Sequence, residues 1–457
     1  MFTLRLLKIK IHSRRVSIFK RSLPIFAFLL AGVMIVWPAL NEQNDKFAKM
    51  LPSKETVKGG QTDMEQVRFF SKDTKQNPIT VVAKTVRETD SSRQIVFMEQ
   101  PDVTYKMADG TVLTGVTPFG LAFQQEKYLY FEEQVDAQTD TGYFAVSDKV
   151  ICEYSAGTIG SESDVFIKGP AGMLKANGFF VKEKGSYIHF KGYTDTLLFQ
   201  KEKTIPEVEN LTFKQQKKYW DENKQNIYIT SENGLIINQK DQTITALKNV
   251  SVIQENNVLE APKIVLNYLQ MPDTGMQMKK ITAFDGVEAT QQKQKVSGET
   301  MILYKDSAEI ADVLKDLMGI KDAQTAQTPI QIIVVDKNAV VTDGLNKVFA
   351  DKIYMLYTQE GESADKIVAV GNMIAHNGAQ RIKGMSGVYT TATQIISVSK
   401  NVSLQEKESV LTGDYATLNL KTGISSLTAP KTVNGKKGRV KGSIIPNDFK
   451  KNKSEVK

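Results

Sequence analysis

The chain has 457 residues, a single cysteine, three histidines and a formal net charge of +8 at pH 7. One cysteine excludes an internal disulfide. The positive charge is concentrated at the two ends, since the first 21 residues hold seven Lys and Arg with no acid before Glu42, and residues 431–457 hold nine against two acids. The intervening chain is therefore mildly acidic and lacks the basic face that nucleic-acid binding requires, so no nucleic-acid partner is expected.

The N-terminus carries a membrane signal. Residues 1–22 are a basic flank, and residues 23–40, LPIFAFLLAGVMIVWPAL, contain no charge. A helix of that length spans about 27 Å, close to the hydrocarbon thickness of a bilayer, which predicts a transmembrane helix with a cytoplasmic N-terminus. The alternative, a cleaved signal peptide, usually has a shorter apolar region and a small-x-small cleavage site, which WPALNEQ lacks. The polar residues 41–76 are interpreted as a stalk.

Two long regions alternate apolar and polar residues. Short runs rich in Val, Ile, Tyr, Phe and Thr, separated by Gly-containing turns, predict a first all-β domain over residues 77–199. The charged segment 200–225 breaks this pattern and is predicted to be the linker. Alternation resumes over residues 226–446, which predicts a second all-β domain.

Two further segments depart from the β pattern. Residues 307–328, SAEIADVLKDLMGIKDAQTAQT, place Ile310, Val313, Leu314 and Leu317 at helical spacing, so the segment is predicted to contain a helix that crosses between strands. The Lys-rich residues 447–457 are predicted to be a disordered tail.

A hairpin unit recurs along the chain. The stretch NVSVIQENNVLEAPKIVLNY has period-2 alternation on both sides of a polar turn, and its phase shifts at Pro262-Lys263, which predicts a β-bulge at that point. Equivalent 18-residue steps run from Val250 to Tyr268, from Ala339 to Tyr357 and from Val402 to Leu420. Repeated hairpins of one design indicate an array in which no unit buries its apolar face alone.

Residues suited to catalysis are few. His12, His189 and His376 have no partner at the spacing of a metal site or a catalytic triad, and no glycine-rich loop could hold a phosphate. The chain is therefore predicted not to be an enzyme, with no cofactor and no metal. The Asp or Pro that follows a small residue in SDK, APK, ADK and GDY resembles a ligand motif but is interpreted as a bulge or turn residue.

Particular segments of the chain resemble two known families. The apolar N-terminal segment with NPITVVAKTVRE, DGTVLTGVTPFGLAF, TGYFAVSDKVICEY and GPAGMLKANGFFVKEKGSYIHFKG resembles LptC, the inner-membrane-anchored component of lipopolysaccharide export. The second half is similar to LptA, the OstA-type periplasmic bridge, through YITSENGLIINQKDQTITALKNVSVIQENNVLEAPKIVLNY, KKITAFDGVEATQQKQKVSGETMILY, KNVSLQEKESVLTGDYATLNLKTGISSL and GRVKGSIIPND. These are normally separate proteins, so the resemblance implies a fusion of the two.

The resemblance implies a fold and a set of partners. The fold is an incompletely closed β-jelly roll, present twice, with the last strand of one domain paired to the first strand of the next. The implied localisation is the inner membrane, crossed once, with the bulk of the chain in the periplasm. The implied partners are lipopolysaccharide, the inner-membrane ABC transporter of the Lpt system, and a periplasmic or outer-membrane Lpt component, LptD-like, bound by edge-strand pairing.

The same resemblance implies an apolar groove for acyl chains, whose burial is favourable by about 0.8 kcal/mol per CH2. The residues expected to line it face inward in each repeat: Val150, Cys152, Tyr154, Leu259, Ala261, Ile264, Leu266, Tyr268, Ala350, Ile353, Met355, Tyr357, Leu418 and Leu420. Plain core packing is the alternative reading of each residue. Two alternative functions are a structural β-filament or adhesin with a closed interior, and a membrane-anchored scaffold or periplasmic enzyme.

Overall fold

The computed structural model describes residues 63–72, 78–90, 94–106, 110–170, 172–199, 227–271, 275–325, 327–344, 346–358, 363–378, 380–422, 424–429 and 440–443. The chain divides into two units, Met1–Asp63 with Arg87–Ser92, and Met64–Val86 with Arg93–Lys457. Of the first unit only Asp63 and residues 87–90 are described. The second unit carries the architecture given below.

The described part of the chain is almost entirely β, as predicted, and its 28 strands belong to one hydrogen-bonded sheet. The first half contains β1 (Asp63–Lys72), β2 (Pro78–Asp90), β3 (Ile95–Glu99), β4 (Asp102–Lys106), β5 (Val112–Val116), β6 (Phe119–Phe123), β7 (Tyr128–Thr139), β8 (Phe144–Glu153), β9 (Thr158–Ser161), β10 (Val165–Gly169), β11 (Gly172–Lys182) and β12 (Tyr187–Leu198). A 3-10 turn at Glu183–Gly185 joins the last two strands.

The second half contains longer hairpins and one helix. Its strands are β13 (Ile227–Ser231), β14 (Leu235–Asn238), β15 (Thr243–Gln254), β16 (Asn257–Met271), β17 (Gly275–Phe284), β18 (Val287–Gln291), β19 (Gln294–Gly298), β20 (Thr300–Tyr304), β21 (Gln331–Asp343), β22 (Asn346–Tyr357), β23 (Lys366–Asn377), β24 (Gln380–Thr390), β25 (Ile395–Glu406), β26 (Ser409–Asn419), β27 (Ser425–Thr428) and β28 (Lys441–Ser443). Helix α1 (Ser307–Asp316) lies between β20 and β21. From β21 to β26 every strand pairs antiparallel with the next.

The two halves are joined by strand pairing. Strand β12 pairs with β13 from Thr194↔Ser231 to Leu198↔Ile227, and with β14 from Tyr187↔Asn238 to Phe190↔Leu235. The hydroxyls of Thr194 and Ser231 lie 2.7 Å apart, and both residues are buried. The sheet therefore continues across the predicted linker, and the expected pairing of the last strand of one half with the first strand of the next is observed.

A glycine makes this junction possible. Gly234 adopts a φ of +95°, and a Cβ at this position would overlap the carbonyl oxygen of Phe190. The Ser231 hydroxyl donates a hydrogen bond to the Gly234 carbonyl at 2.9 Å, which fixes the bend between β13 and β14. A residue with a side chain would have to separate β14 from β12.

Four clusters of buried apolar residues fill the second unit. The first-half core includes Ile79, Val81, Met98, Phe131 and Cys152. The junction core consists of Val165, Leu174, Ala176, Phe190 and Leu235. The inner core is the largest, with members on strands from β15 to β26, and the outer core groups α1 with the opposite face of β21 to β24.

Two sequence predictions need correction. The stalk prediction for residues 41–76 is wrong for residues 63–72, which form β1; Val67 and Phe69 pack against the first-half core because they alternate on one face. The bulge expected at Pro262-Lys263 has its extra residue on the neighbouring strand, where Lys248 and Asn249 together oppose Pro262. The predicted transmembrane helix, linker and tail lie outside the described residues, and no helix within the described ranges is long and apolar enough to cross a membrane.

Candidate functional site

Each long hairpin of the second half bends at one place. The bends are bulges in which two residues of one strand oppose one residue of the next, as between Leu247 and Val250 or between Asp336 and Ala339. A β-bulge bends its strand and increases the local twist. Residues on both sides of each bulge, such as Val335 and Ala339, or Val398 and Val402, belong to the inner core. Every strand therefore contributes to two facing walls, and the apolar space between the walls is the inner core.

The bends share a sequence signature. Two consecutive residues adopt positive φ at Lys248-Asn249, Lys337-Asn338, Gly371-Asn372 and Lys400-Asn401, and at Glu133-Gln134 in the first half. Glycine and asparagine tolerate this left-handed region better than most residues. Four of these five pairs face the middle residue of the APK, ADK, GDY and SDK triplets, namely Pro262, Asp351, Asp414 and Asp148, and the Gly371-Asn372 pair faces Met385. Each of the four triplet residues therefore lies at a bulge, as predicted, but on the strand opposite the extra residue.

Carboxylates stabilise several bends. Glu299 accepts a hydrogen bond from Asn338 Nδ2 at 3.2 Å and lies 3.3 Å from Lys337 Nζ. Asp351 accepts from Asn372 Nδ2 at 2.9 Å. Glu232 pairs with Lys248 at 3.3 Å, and hydrogen bonds from the side chains of Asn249 and Lys248 lower its pKa. These acids therefore have structural partners at the bends.

Burial on the inner face decreases away from the bends. On β22 the side chain of Ile353 is fully buried, Met355 is buried, and Tyr357 at the strand end is only half-buried. On β26 Ala416 and Leu418 are buried and Leu420 is half-buried. The seam, opposite the bends, is where the free ends of the two walls meet. Half-buried apolar side chains border it from both walls: Val252, Leu259, Val296, Val348 and Leu411 on one, and Ile333, Tyr357, Ile367, Tyr389 and Leu420 on the other.

A cleft opens on the seam. Its cavity volume is about 20 Å³, which holds a water molecule, so an acyl chain could enter only if the two walls moved apart. Its residues come from the ends of β22 to β24 and from the facing segments of β25 and β26: Asn346, Val348, Ala375, His376, Asn377, Gln380, Ile382, Ile396, Leu404 and Leu418. The side chains that line its interior are apolar and those at its rim are polar.

Ionisable groups at the site are few and unsuited to catalysis. Burial lowers the pKa of His376 below its usual range, and the nearby Arg381, Lys347 and Lys383 lower it further. Burial raises the pKa of Tyr357, and it raises the pKa of the Cys152 thiol to about 12, so that thiol is protonated and unreactive at neutral pH. No group of three or more His, Cys, Asp and Glu within the described ranges has the geometry to hold a metal ion.

The structure places the predicted groove residues in two separate clusters. Nine belong to or pack against the inner core: Leu259, Ala261, Ile264, Ala350, Ile353, Met355, Tyr357, Leu418 and Leu420. Val150, Cys152 and Tyr154 belong to or pack against the first-half core. Leu266 is half-buried and pairs with Ile244, which packs against the junction core, and Tyr268 is buried outside all four clusters.

Tyr154 packs against the first-half core, and the junction core is a separate cluster. Sequence reasoning named Leu259 but missed the rest of its wall, including Val348, Ala375 and Ile382. The sequence shows that these residues alternate inward, but it does not show on which side of each bend the cleft opens. Whether any of these residues binds lipid stays a prediction.

Comparison with known proteins gives a partial match. Residues 321–424 match the family described as LptA/(LptD N-terminal domain) LPS transport protein. No curated protein matches the chain significantly. Among solved structures, LptH, the LptA-homologous periplasmic component of the conserved lipopolysaccharide transport device of Pseudomonas aeruginosa, is 13% identical, with 25% of this chain and 85% of that chain covered. Its TM-score of 0.22 is too low to carry an argument.

Proposed function

We propose that the chain is a non-enzymatic lipid-binding bridge. It takes lipopolysaccharide from an inner-membrane ABC transporter of the Lpt system and passes it across the periplasm towards an LptD-like partner in the outer membrane. Residues 23–40 anchor it in the inner membrane, and the β array lies in the periplasm. An unpaired strand edge docks the partner, because main-chain groups at a sheet edge are free to bond a further strand.

The main support for this proposal is that two features occur together in one segment of the chain. Residues 321–424 match a lipopolysaccharide transport family, and the same residues supply most of the two-walled inner core and its seam. Acyl chains would enter at the seam and replace contacts among the half-buried side chains there. The hydrated sugar would remain in water outside. Transfer needs no bond chemistry, and its direction would come from the transporter.

Photo-crosslinking tests this proposal. In the full chain in cells, benzoylphenylalanine replaces Tyr357, a half-buried aromatic residue packed against the inner core. The same replacement at Tyr193, which is 50% exposed on β12, is the matched control. We expect lipopolysaccharide to be captured at position 357 and not at position 193. Absence of capture at 357 in folded protein, or equal capture at both positions, contradicts the proposal.

A static β-rod without lipid transfer is the second candidate. The observation that favours it is the tight packing of the inner core, where Val335, Ala339, Ile353 and Val398 have no exposed surface. This candidate predicts a sealed seam. A bismaleimide crosslink across the seam, between Val348→Cys and Ile396→Cys, would then leave activity in lipopolysaccharide export unchanged, whereas a transport function requires its loss. Val348 and Ile396 line the same cleft from the two walls, so a short flexible crosslinker can join them.

A further inference from the structure

Cationic side chains gather beside the cleft. Lys347, His376 and Arg381 are cross-strand neighbours on β22, β23 and β24, in the register Lys347↔His376↔Arg381. Lys383 lies two residues further along β24 and faces Ile374. We define the cationic lip as Lys347, Arg381 and Lys383. These positions alternate with the inward residues Val348 and Ile382, so the lip lies on the outer surface immediately beside the seam.

Among the described residues, no acid pairs with the cations of the lip. No described carboxylate is within salt-bridge distance of Lys347, Arg381 or Lys383. The Nε atom of Arg381 is buried and has no hydrogen-bond partner. A buried donor left unsatisfied is costly, so most such groups in native proteins bond to something. Elsewhere on the second half Lys279, Lys280, Lys295, Lys337 and Lys352 each pair with a carboxylate.

The surroundings of the lip are apolar as well as cationic. Phe349 is 36% exposed and its ring contacts the edge of His376, with centroids 6.0 Å apart. Met385, on the same strand as Lys383, is 45% exposed. His376 and the neighbouring hairpin residues Asn346, Asn377 and Gln380 belong to both the rim of the cleft and this outer surface. The lip is thus continuous with the apolar interior through a short polar rim.

We propose that the cationic lip binds the phosphorylated headgroup of the lipid whose acyl chain occupies the cleft. This inference rests on the proposed function and adds the residues that hold the anionic end of the cargo. Guanidinium and ammonium groups form charge-assisted hydrogen bonds to phosphate oxygens, and Arg381 offers a fork of donors that matches two of them. Phe349 and Met385 would contact the base of the acyl chains. The lip therefore fixes which end of the lipid faces the solvent.

The test uses the full chain with the crosslinker at position 357. In one variant Lys347→Glu and Lys383→Glu reverse two exposed charges of the lip. In the matched control Lys84→Glu and Lys106→Glu make the same change at exposed positions on β2 and β4. We expect the lip variant to lose about tenfold of its lipopolysaccharide capture and the control to lose none. Both variants should keep the unfolding midpoint of the parent, since all four side chains are exposed.

The outcomes separate this inference from the proposed function. Undiminished capture in the lip variant overturns the lip and leaves lipid transport intact. No capture in the parent chain overturns both. A second measurement uses purified full chain and lipid A with or without its phosphates: dephosphorylation should abolish the difference between the parent and the lip variant. A difference that persists without phosphate, or capture that millimolar inorganic phosphate abolishes, overturns the assignment to a lipid headgroup.

Discussion

The two faces of strands β21 to β24 are both apolar, yet they are covered in different ways. Inward residues such as Ile353 and Ala369 meet the facing wall of the same array, which leaves a seam. Outward residues such as Tyr354, Leu356 and Val368 are covered by the segment that follows β20 and form the outer core with it. The inner face is covered by a second wall of the same array, whereas the outer face is covered by a dedicated segment.

That segment, the strap, comprises residues 306–325 and contains α1. Asp306 caps the helix by accepting hydrogen bonds from the backbone N–H groups of Ala308 and Glu309. Ile310, Leu317 and Ala323 point into the outer core. At its start the strap is held by Lys279, 3.4 Å from Asp306, and Lys280, 3.2 Å from Glu309.

The far end of the strap reaches a different strand. The Tyr415 hydroxyl on β26 donates to Asp322 Oδ2 at 2.8 Å, and Lys321 Nζ lies 3.5 Å from the centre of the Tyr415 ring. Lys366 Nζ on β23 donates to the carbonyls of Asp322 and Gln324. The strap therefore ties β17 and β20 to β26 across the outside of one wall. It stiffens that wall without obstructing the seam.

The largest expected effect compares a cavity on each face. Ile353 and Leu356 both have no exposed surface, so Ile353→Ala and Leu356→Ala should each reduce the free energy of unfolding by about 2–5 kcal/mol. Added lipopolysaccharide should recover part of the loss in Ile353→Ala, because that cavity adjoins the space an acyl chain would enter. Ligand at a hundredfold excess over Kd stabilises by about 2.7 kcal/mol. Urea unfolding of the full chain in lipid nanodiscs measures both quantities.

Leu356→Ala is the control, since its cavity lies beneath the strap and has no connection to the seam. It should gain no more from lipopolysaccharide than the parent chain does. Equal recovery of stability in the two variants would show that lipopolysaccharide acts on both cavities alike, which contradicts the proposed difference between the inner and the outer face.

A smaller effect is expected at the far end of the strap. Tyr415→Phe removes the hydrogen bond to Asp322 and keeps the aromatic ring under Lys321. We expect a loss of about 1 kcal/mol, as for a typical hydrogen bond. Hydrogen exchange should show faster opening of the strap, while the inner-facing amides of β25 and β26 keep their protection. Tyr193→Phe, which removes a hydrogen bond with Tyr228 at the β12–β13 pairing, serves as the comparison and should leave exchange in the strap unchanged. Uniform loosening of all the strands would show that the strap is not a separate unit.

Sequence patterns predicted the inner face better than the outer one. Period-2 alternation placed Ala350, Ile353 and Met355 correctly because one face of each repeat must be apolar in any array of this kind. The run Ile353–Tyr357 is apolar at consecutive positions, a sign of burial on both faces. Helical spacing located the strap, but spacing along the chain does not say which sheet face a helix covers.

The cationic lip illustrates what the sequence alone does not show. Lys347, Arg381 and Lys383 come from β22 and β24 and meet only through strand register. A shift of one residue would turn each side chain to the other face. The bulges set the register. The pairs Lys337-Asn338 and Gly371-Asn372 can be recognised as bulge residues only when the strand that pairs with each of them is known.

The smallest expected effect is at the helix cap, and its pH dependence has a definite sign. The backbone N–H of Glu309 lowers the pKa of Asp306 below the usual 3.8, assisted by Lys279 and the N–H of Ala308. A carboxyl group with a lowered pKa in the folded state stabilises it at any pH above the unfolded-state value, and this contribution is lost as the pH falls through the folded-state value. Protection of the α1 amides should therefore stay constant from neutral pH to about 4 and then decline.

Asp306→Ala should lower that protection about fivefold at neutral pH. Asp306→Asn should retain the cap and remove the acid-dependent decline, because an amide accepts the same hydrogen bonds without titrating. No described residue of β15 or β16 belongs to the outer core, so the exchange of these strands should be the same in all three chains. A parallel loss there would mean that the strap and the inner core unfold as one.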